Sequence, residues 1–443
     1  MSLAVALALA APATGQILGG GLPGLPGGGL PGGGLPGGLG APDLPPRLPK
    51  ARALAPLVDA VQDSANVPLS EVRRLTAERL LREHADMVEV DDHGQPVVRG
   101  QVLAVGVSHD AMDRLRAAGF SARSQPGLGA LGIEAFVLGV PRGLSAVEAV
   151  RRLRALDPTA QYDFNHLYQP AGTASATAAA PGHSAPQADG RGLRIGLVDG
   201  SVAQSRPALA RASLVQRPFG PGGGRATAHA TAVASLIAGA SGPFHGAAPG
   251  ATIYVADVYG PTPAGGSAEA VARALAWLAQ SDIPVVNISL VGPPNLLLDA
   301  AVRALLARGA LVVAAVGNDG PAAPPLYPAA YPGVIAVTGV DGLRRVLPEA
   351  GRGTHVDFAA PGADMAAAGP AAGFVTVRGT SFAAPIVAGR LALLRSHGTA
   401  AQALEALAHE AVDLGAPGPD PIYGRGLVGA DLRIDPSAVQ ASR

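Results

Sequence analysis

Polar residues of the C-terminal half stand where α/β proteins commonly bind ligands, at strand ends and helix starts. Asp199 ends the strand-like stretch "LRIGLVD", His229 opens the helical stretch "HATAVASLIAGA", Asn318 ends "LVVAAVGN", and Ser381 opens a helix in "GTSFAAP". Each has an ordinary structural explanation, as a turn residue, an exposed first-turn histidine or a helix cap. These explanations account for each residue separately, but not for the set.

The set favours nucleophilic catalysis by the serine. A helix N-terminus presents unpaired N–H groups and a partial positive charge, which suits a serine that must support a developing oxyanion. The chain order Asp199, His229, Ser381, with Asn318 before the serine, is one of the convergent orders of the serine triad. An esterase-type α/β hydrolase needs a G-x-S-x-G elbow and the order Ser, Asp, His, which this chain does not have.

The elements that must position these residues begin near Leu193. Buried strand-like runs alternate there with helical stretches, which predicts an α/β fold with a parallel sheet covered on both faces. The runs are "LRIGLVD", "TIYVADV", "IPVVNISL", "LVVAAVGN" and "VIAVTGV", and the helical stretches are "HATAVASLIAGA", "SAEAVARALAWLAQ" and "DAAVRALLARG".

The region from Leu193 to Asp431 resembles the subtilisin-like serine proteases, or subtilases. Besides the stretches above, it contains in family order "GAAPGATIYVADVYG", "VVNISL", "YPAAYPGVIAVTGV", "VDFAAPG" and "DPIYGRGLVGA". The resemblance implies a three-layer, parallel-sheet subtilisin-like catalytic domain. It also implies that Ser381 attacks a peptide carbonyl, His229 transfers the proton, Asp199 orients the imidazole, and Asn318 with the Ser381 N–H holds the oxyanion.

The resemblance further implies a substrate cleft between two strand edges, where a peptide backbone adds as a strand. One edge runs from Ser289 to Gly292, and the other lies near Gly265 to Ser267. The residues predicted to bind substrate are Ser289, Leu290, Val291, Gly292, Gly265, Gly266 and Leu326. Glycine is frequent in the family where Val291 and Leu326 stand, so we expect the pocket before the scissile bond to accept small side chains.

Several positions depart from the family pattern. "DGS" replaces Asp, Ser or Thr, then Gly; "HAT" replaces His-Gly-Thr; and Ile386 stands where many relatives have His. No departure removes a catalytic group. The changes at Gly200 and Ala230 nevertheless motivate an alternative, a weak or silent peptide-binding protein plugged permanently by its N-terminal domain.

The segment before the subtilase-like region predicts a second, smaller domain. Its pattern of strand, helix, strand, strand, helix, strand indicates a split βαβ, ferredoxin-like α+β domain with one sheet face free to dock. It resembles the subtilase propeptide, which assists folding and inhibits until it is cleaved. We therefore expect a self-inhibited precursor whose intramolecular partner is this prodomain, cleaved in the small-residue spacer between Pro170 and Gly192.

The N-terminus resembles an export signal followed by low-complexity sequence. A short apolar run is followed by Ala11-Pro12-Ala13, which fits signal peptidase cleavage and predicts a secreted or periplasmic protein. The predicted segments are a signal peptide at 1–13, a Gly/Pro/Leu-rich tether at 14–46, the propeptide-like domain at 47–170, a flexible linker at 171–192, the catalytic domain at 193–433 and a tail at 434–443.

Composition limits the classes of partner and cofactor that we expect for this chain. A formal net charge of +0 over 443 residues argues against nucleic acid, and the zero cysteines exclude disulfides and thiolate chemistry. The apolar N-terminal run is too short to span a bilayer, so we expect no stable membrane span. We expect no cofactor, because no His, Asp or Glu residues have the spacing of transition-metal ligands. Structural calcium is common in subtilases, but it needs carboxylate-rich loops, and the sequence does not identify such a site. The expected partners are protein or peptide substrates.

Overall fold

The computed structural model describes residues 69–176, 189–371 and 373–439. The predicted signal peptide, the predicted tether and residues 177–188 of the predicted linker lie outside the described residues. No helix in the part of the chain that the structure describes is long and apolar enough to cross a bilayer.

The N-terminal domain is an antiparallel sheet with its second and third helices packed on one face. Its elements are α1 (Leu69–Glu83), β1 (Val88–Val90), β2 (Pro96–Val105), α2 (His109–Ala117), β3 (Ser121–Ser124), β4 (Ala135–Gly139), α3 (Ala146–Leu156) and β5 (Gln161–His166). The strand order β5-β2-β4-β3, all antiparallel, is that of the predicted split βαβ arrangement, with β1 added as a hairpin to the start of β2.

The helices of this domain follow directly from local sequence. Ser145 accepts a hydrogen bond from the Glu148 N–H while the Glu148 side chain returns to Ser145, a capping box that starts α3. Ser108 caps α2 through the Ala111 N–H. Both helices turn apolar residues such as Leu115 and Leu153 onto the sheet, and both side chains are fully buried.

The C-terminal domain is a seven-stranded parallel sheet between helices, which confirms the predicted α/β fold. Short strands β6 (Gln169–Pro170) and β7 (Thr173–Ala176) precede it. Its elements are β8 (Arg194–Asp199), β9 (Ser213–Pro218), α4 (Ala228–Ala238), β10 (Ala240–Ser241), β11 (Phe244–His245), β12 (Thr252–Asp257), α5 (Ala268–Gln280), β13 (Val285–Ile288), β14 (Leu290–Val291), α6 (Leu296–Ala307), β15 (Leu311–Ala315), β16 (Ile335–Val340), β17 (Val356–Pro361), β18 (Ala363–Ala368), β19 (Phe374–Arg378), α7 (Thr380–Arg395) and α8 (Ala400–Glu410). The sheet order is β17-β16-β15-β13-β8-β12-β9.

The apolar strands are explained by burial on both faces. On β8, Ile195 and Leu197 point into one core with α4 and α7, while Val198 points into the other core with α5 and α6. The second core also contains Leu103 and Val137 from the N-terminal sheet. The free face of that sheet therefore packs on α5 and α6, and the two domains share an apolar interface.

Candidate active site

Asp199, His229 and Ser381 come from three elements and form one hydrogen-bonded chain. His229 Nδ1 lies 2.8 Å from Asp199 Oδ2, and His229 Nε2 lies 2.9 Å from Ser381 Oγ. All three residues are at most 3% exposed. A carboxylate only accepts, so Nδ1 carries the proton toward Asp199 and Nε2 is left to accept from the Ser381 hydroxyl. This is the arrangement in which a serine can be deprotonated as it attacks.

The departures at Gly200 and Ala230 leave this chain in place. Thr227 caps α4 by accepting a hydrogen bond of 3.1 Å from the Ala230 N–H. A Cβ atom at Gly200 would lie 2.8 Å from the Thr227 side chain, so the glycine leaves room for the cap that sets the start of the His229 helix. Ala230 itself is fully buried in the core.

The start of α7 ties Ser381 to Asn318. The Thr380 N–H donates to Asn318 Oδ1 over 3.1 Å, and Thr380 Oγ1 accepts from the Gly317 N–H over 3.1 Å. These bonds orient the Asn318 amide so that its NH₂ group points into the cleft. The N-cap of α7 is Gly379, which offers no side-chain acceptor, and so the Ser381 N–H remains available to a ligand.

That ligand is a carbonyl group of the chain itself. The Ala171 carbonyl accepts from the Ser381 N–H over 3.0 Å and from Asn318 Nδ2 over 2.5 Å. A Cβ atom at Gly379 would lie 2.6 Å from this carbonyl oxygen, which explains the glycine before Thr-Ser. The peptide bond from Ala171 to Gly172 thus lies at the Ser381 hydroxyl, held by the two donors that an oxyanion would need.

The residues before Ala171 lie between two strand edges. Each edge supplies backbone hydrogen bonds, as in β-strand addition. The Ala171 N–H donates to the Ser289 carbonyl over 3.3 Å, Pro170 and Gln169 pair with Leu290 and Val291, the Tyr168 N–H donates to the Gly266 carbonyl over 2.8 Å, and Leu167 bridges to Ser267. The sequence predicts a linker from residue 171 onward, but Ala171 is hydrogen-bonded in the cleft and residues 173–176 form strand β7, because neighbouring strands satisfy their backbone groups.

Glycines shape the outer end of this cleft. A Cβ atom at Gly292 would lie 2.6 Å from the Tyr168 ring, and one at Gly266 would lie 2.4 Å from the Tyr168 carbonyl oxygen. Gly265 instead approaches its own domain, because its Cβ would lie 2.1 Å from the Tyr259 carbonyl oxygen. The Tyr168 ring is 1% exposed and its hydroxyl donates to the Pro293 carbonyl over 2.7 Å. Burial raises the pKa of Tyr168, which keeps this hydroxyl a donor.

The Ala171 side chain is buried. Ala171 is 3% exposed, and Val291 and Leu326 are buried members of the same core of the C-terminal domain. A Cβ atom at Gly317 would lie 2.5 Å from Leu326 Cδ1, so the leucine side chain occupies the space beside the loop that carries Asn318.

A further contact of Ser381 was not apparent from the sequence motifs. Pro385 lies four residues after Ser381 in α7 and has no N–H, so it cannot donate to the Ser381 carbonyl. The Ser289 hydroxyl donates to that carbonyl instead, over 2.9 Å, and receives a hydrogen bond of 2.8 Å from Asn287 Nδ2. The spacing Ser-x-x-x-Pro in "SFAAP" is the sequence signal of this missing helical bond.

Sequence reasoning also missed the requirement for Gly172. It did not identify Phe382 and strand β19, which contact the chain after Ala171. Phe382 packs on the His229 ring, with ring centroids 5.2 Å apart. Within residues 69–176, 189–371 and 373–439, no group of three or more His, Asp or Glu side chains is placed to hold a metal ion.

The comparisons with known proteins agree with this geometry. The sequence profile of the subtilase family (Peptidase S8) matches residues 190–426. Over 248 residues the chain is 32% identical to subtilisin Savinase of Lederbergia lenta, covering 55% of this chain and 90% of that protein. It is 34% identical over 241 residues to thermitase of Thermoactinomyces vulgaris, covering 52% and 85%. The fold is similar to that of fervidolysin from Fervidobacterium pennivorans, with a TM-score of 0.65 and 20% identity, covering 78% of this chain and 62% of that one.

Proposed function

Because this chain belongs to the subtilase family and is a subtilisin-like serine endopeptidase, we propose that it is an exported precursor that cuts its own Ala171–Gly172 bond. In this proposal Asp199, His229 and Ser381 are the catalytic triad. The apolar run and small-residue site at the N-terminus support export.

The observation that carries the proposal is the position of the Ala171 carbonyl. Two hydrogen-bond donors, Asn318 Nδ2 and the Ser381 N–H, meet this one oxygen, and the Ser381 hydroxyl stands beside the next residue. A plug that only blocks the cleft has no need to place a peptide carbonyl between both donors. The arrangement therefore favours the enzyme over the silent alternative.

The geometry supports acyl transfer in two stages. Ser381 Oγ attacks the Ala171 carbonyl carbon while His229 Nε2 takes the hydroxyl proton and Asp199 stabilises the resulting imidazolium. Asn318 and the Ser381 N–H hold the oxyanion. When the carbon–nitrogen bond breaks, His229 gives the proton to the Gly172 nitrogen, which leaves as a free amine. Ala171 is then bound as an ester to Ser381 Oγ. His229 takes a proton from a water molecule that attacks the ester carbon, and it returns this proton to Ser381 Oγ as the Ala171 carboxylate is released.

The cut N-terminal domain is proposed to stay bound as an inhibitor, supported by its docking on helix N-termini. Asn165 Oδ1 accepts from the Glu269 N–H of α5 over 3.1 Å, and Asp163 Oδ2 accepts from the Leu296 N–H of α6 over 2.8 Å. Asn295, the N-cap of α6, donates to the Phe164 carbonyl and to His166. These bonds, with the Tyr168 ring, do not depend on the Ala171–Gly172 bond.

We further propose that the enzyme prefers small residues before the scissile bond. Val291 and Leu326 stand where glycine is frequent in the family and belong to the same apolar core as Ala171, and inserting extra carbons into a close-packed site costs about 1 to 3 kcal/mol. On matched peptides, kcat/KM is expected to be higher for Ala than for Phe at that position. The Leu326→Gly variant should shift the ratio toward Phe, and a Phe preference in the unchanged enzyme contradicts this part.

The triad and self-cleavage are tested on the full-length chain. A fluorophosphonate probe should label Ser381, and mass spectrometry should find one fragment that ends at Ala171 and one that begins at Gly172. The Ser381→Ala chain should stay intact and unlabelled while keeping its folded circular dichroism spectrum. A folded wild-type chain that is neither cleaved after Ala171 nor labelled would establish the silent alternative.

A further inference from the structure

The chain that follows the scissile bond is bound as extensively as the chain before it. Strand β7 pairs antiparallel with β19 and becomes the third strand of the β18–β19 sheet. The paired residues are Thr173 with Arg378, Ala174 with Val377, Ser175 with Thr376 and Ala176 with Val375. When β7 leaves, this edge of β19 has unpaired backbone groups that can accept another extended segment.

Gly172 has no room for a side chain. A Cβ atom there would lie 2.4 Å from Ser381 Oγ, 2.6 Å from Phe382 Cε2 and 3.0 Å from the Arg378 carbonyl oxygen. The backbone of Gly172 is outside the left-handed region, so space rather than conformation requires the glycine.

The atoms around Gly172 cannot easily retreat. Ser381 Oγ is hydrogen-bonded to His229, and the Phe382 ring is fully buried against the same imidazole. A shift of either group disturbs the catalytic chain itself. Two residues further on, Ala174 is 7% exposed and lies in the core cluster with Val377, which limits the size of that side chain as well.

We propose that β19 and Phe382 form an extended binding site for the substrate residues after the cut bond. This site selects glycine at the first position and a small side chain at the third, in a segment that adds to β19 as a strand. The inference rests on the proposed function, because the same cleft must release the N-terminal segment and bind other chains.

The first test uses self-cleavage of the full-length chain. Gly172→Ala is compared with Gly127→Ala, where the new Cβ meets no atom within 4 Å. Cleavage after residue 171 is expected to slow at least about tenfold for Gly172→Ala and to keep the wild-type rate for Gly127→Ala. Equal rates for the two variants overturn the proposal.

The second test measures selectivity in trans with the enzyme produced by self-cleavage. Peptides of the sequence Tyr-Gln-Pro-Ala-Gly-Thr-Ala-Ser, copied from residues 168–175, are varied at one position each. Replacing Gly by Ala, or the second Ala by Phe, is expected to lower kcat/KM at least about tenfold, whereas Thr to Val has little effect. In the Phe382→Ala variant the Gly-to-Ala ratio of kcat/KM should fall severalfold, because Phe382 Cε2 is removed while Ser381 Oγ still faces the new Cβ.

Failure of this site is distinguishable from failure of the proposed function. If the fluorophosphonate labels Ser381 and all peptides are cut equally, the extended site is wrong and the protease assignment stands. If Ser381 is not labelled and no peptide is cut, the proposed function fails and this inference falls with it.

Discussion

Three helix N-termini of the C-terminal domain face the N-terminal segment, and they are used in two different ways. Helices α5 and α6 begin with the side-chain caps Ser267 and Asn295, and their remaining donors bind Asn165 and Asp163. Helix α7 begins with a glycine and has no side chain of its own to cap it. Its donors bind groups in the cleft.

The difference shows how one physical property supports both docking and chemistry. Unpaired N–H groups and a partial positive charge exist at every helix start. Where a side chain caps the helix, the remaining N–H groups bind the docked N-terminal domain. Where the cap is a glycine, the free N–H can hold a carbonyl oxygen that becomes an oxyanion. Substitutions at the two kinds of site should therefore affect different measurements.

The largest expected difference in kcat is between variants of two asparagines, Asn318 and Asn295. Asn318→Leu removes one oxyanion donor and should lower kcat by about 10² to 10³-fold, since the Ser381 N–H remains. Asn295→Leu removes a docking contact and should leave kcat of the released enzyme within severalfold, while inhibition by the N-terminal domain weakens. A comparable kcat loss in both variants would contradict the division between chemistry and docking.

The next effect concerns the carbonyl of Ser381, which is satisfied from outside its helix. Ser289→Ala leaves that carbonyl without its donor and should lower kcat about tenfold with little change in KM, because a buried unpaired carbonyl shifts the nucleophile. In the Pro385→Ala background the new N–H can take the donor's place, so Ser289→Ala should cost clearly less there.

A double-mutant cycle with four purified proteins measures this coupling. The fluorophosphonate labelling rate provides a second readout that is independent of substrate binding. Additive effects of Ser289→Ala and Pro385→Ala would show that the hydroxyl stabilises the fold without positioning Ser381.

The sequence allowed the fold to be predicted, and with it the three side chains that the structure joins by hydrogen bonds, because both depend on local pattern. Buried strands read as apolar runs, and Asp199, His229 and Ser381 occur in short motifs with a fixed chain order. The bound position of Ala171 could not be predicted, because a small-residue spacer looks disordered until a cleft supplies its hydrogen bonds. The need for glycine at 172 likewise depends on Phe382, a distant residue in sequence.

A smaller effect, on the affinity of the cut N-terminal domain, is expected at the start of α6. Asp163→Ala removes the side-chain acceptor for the Leu296 N–H, worth about 1 kcal/mol, or about fivefold in the dissociation constant of the cut N-terminal domain. Because burial raises the pKa of Asp163, part of the gain from this bond is already offset by desolvation. The matched control is Asp113→Ala, an exposed aspartate of the same domain.

Self-cleaved protein is diluted in steps, and the concentration at which peptidase activity appears gives the dissociation constant. The midpoint should rise for Asp163→Ala and stay unchanged for Asp113→Ala. An equal shift for both would mean that the first variant acts through the stability of the N-terminal domain.

The smallest effect is a pH dependence at Asp91, whose Oδ2 lies 3.2 Å from Nε2 of His166 at the end of β5. Burial alone would raise the pKa of Asp91, but hydrogen bonds from His166 and from the Gln95 and His93 N–H groups outweigh it and lower the pKa below 3.8. A lowered carboxyl pKa contributes stability above the ordinary value, and this contribution is lost as the pH falls through the folded value. In the Ser381→Ala chain, the Asp91→Asn variant should therefore unfold at a lower temperature than its parent at pH 7, and the gap should narrow as the pH falls below about 4. Thermal unfolding from pH 7 to 3 measures the gap; a constant difference would show that the Asp91 charge does not stabilise the folded domain.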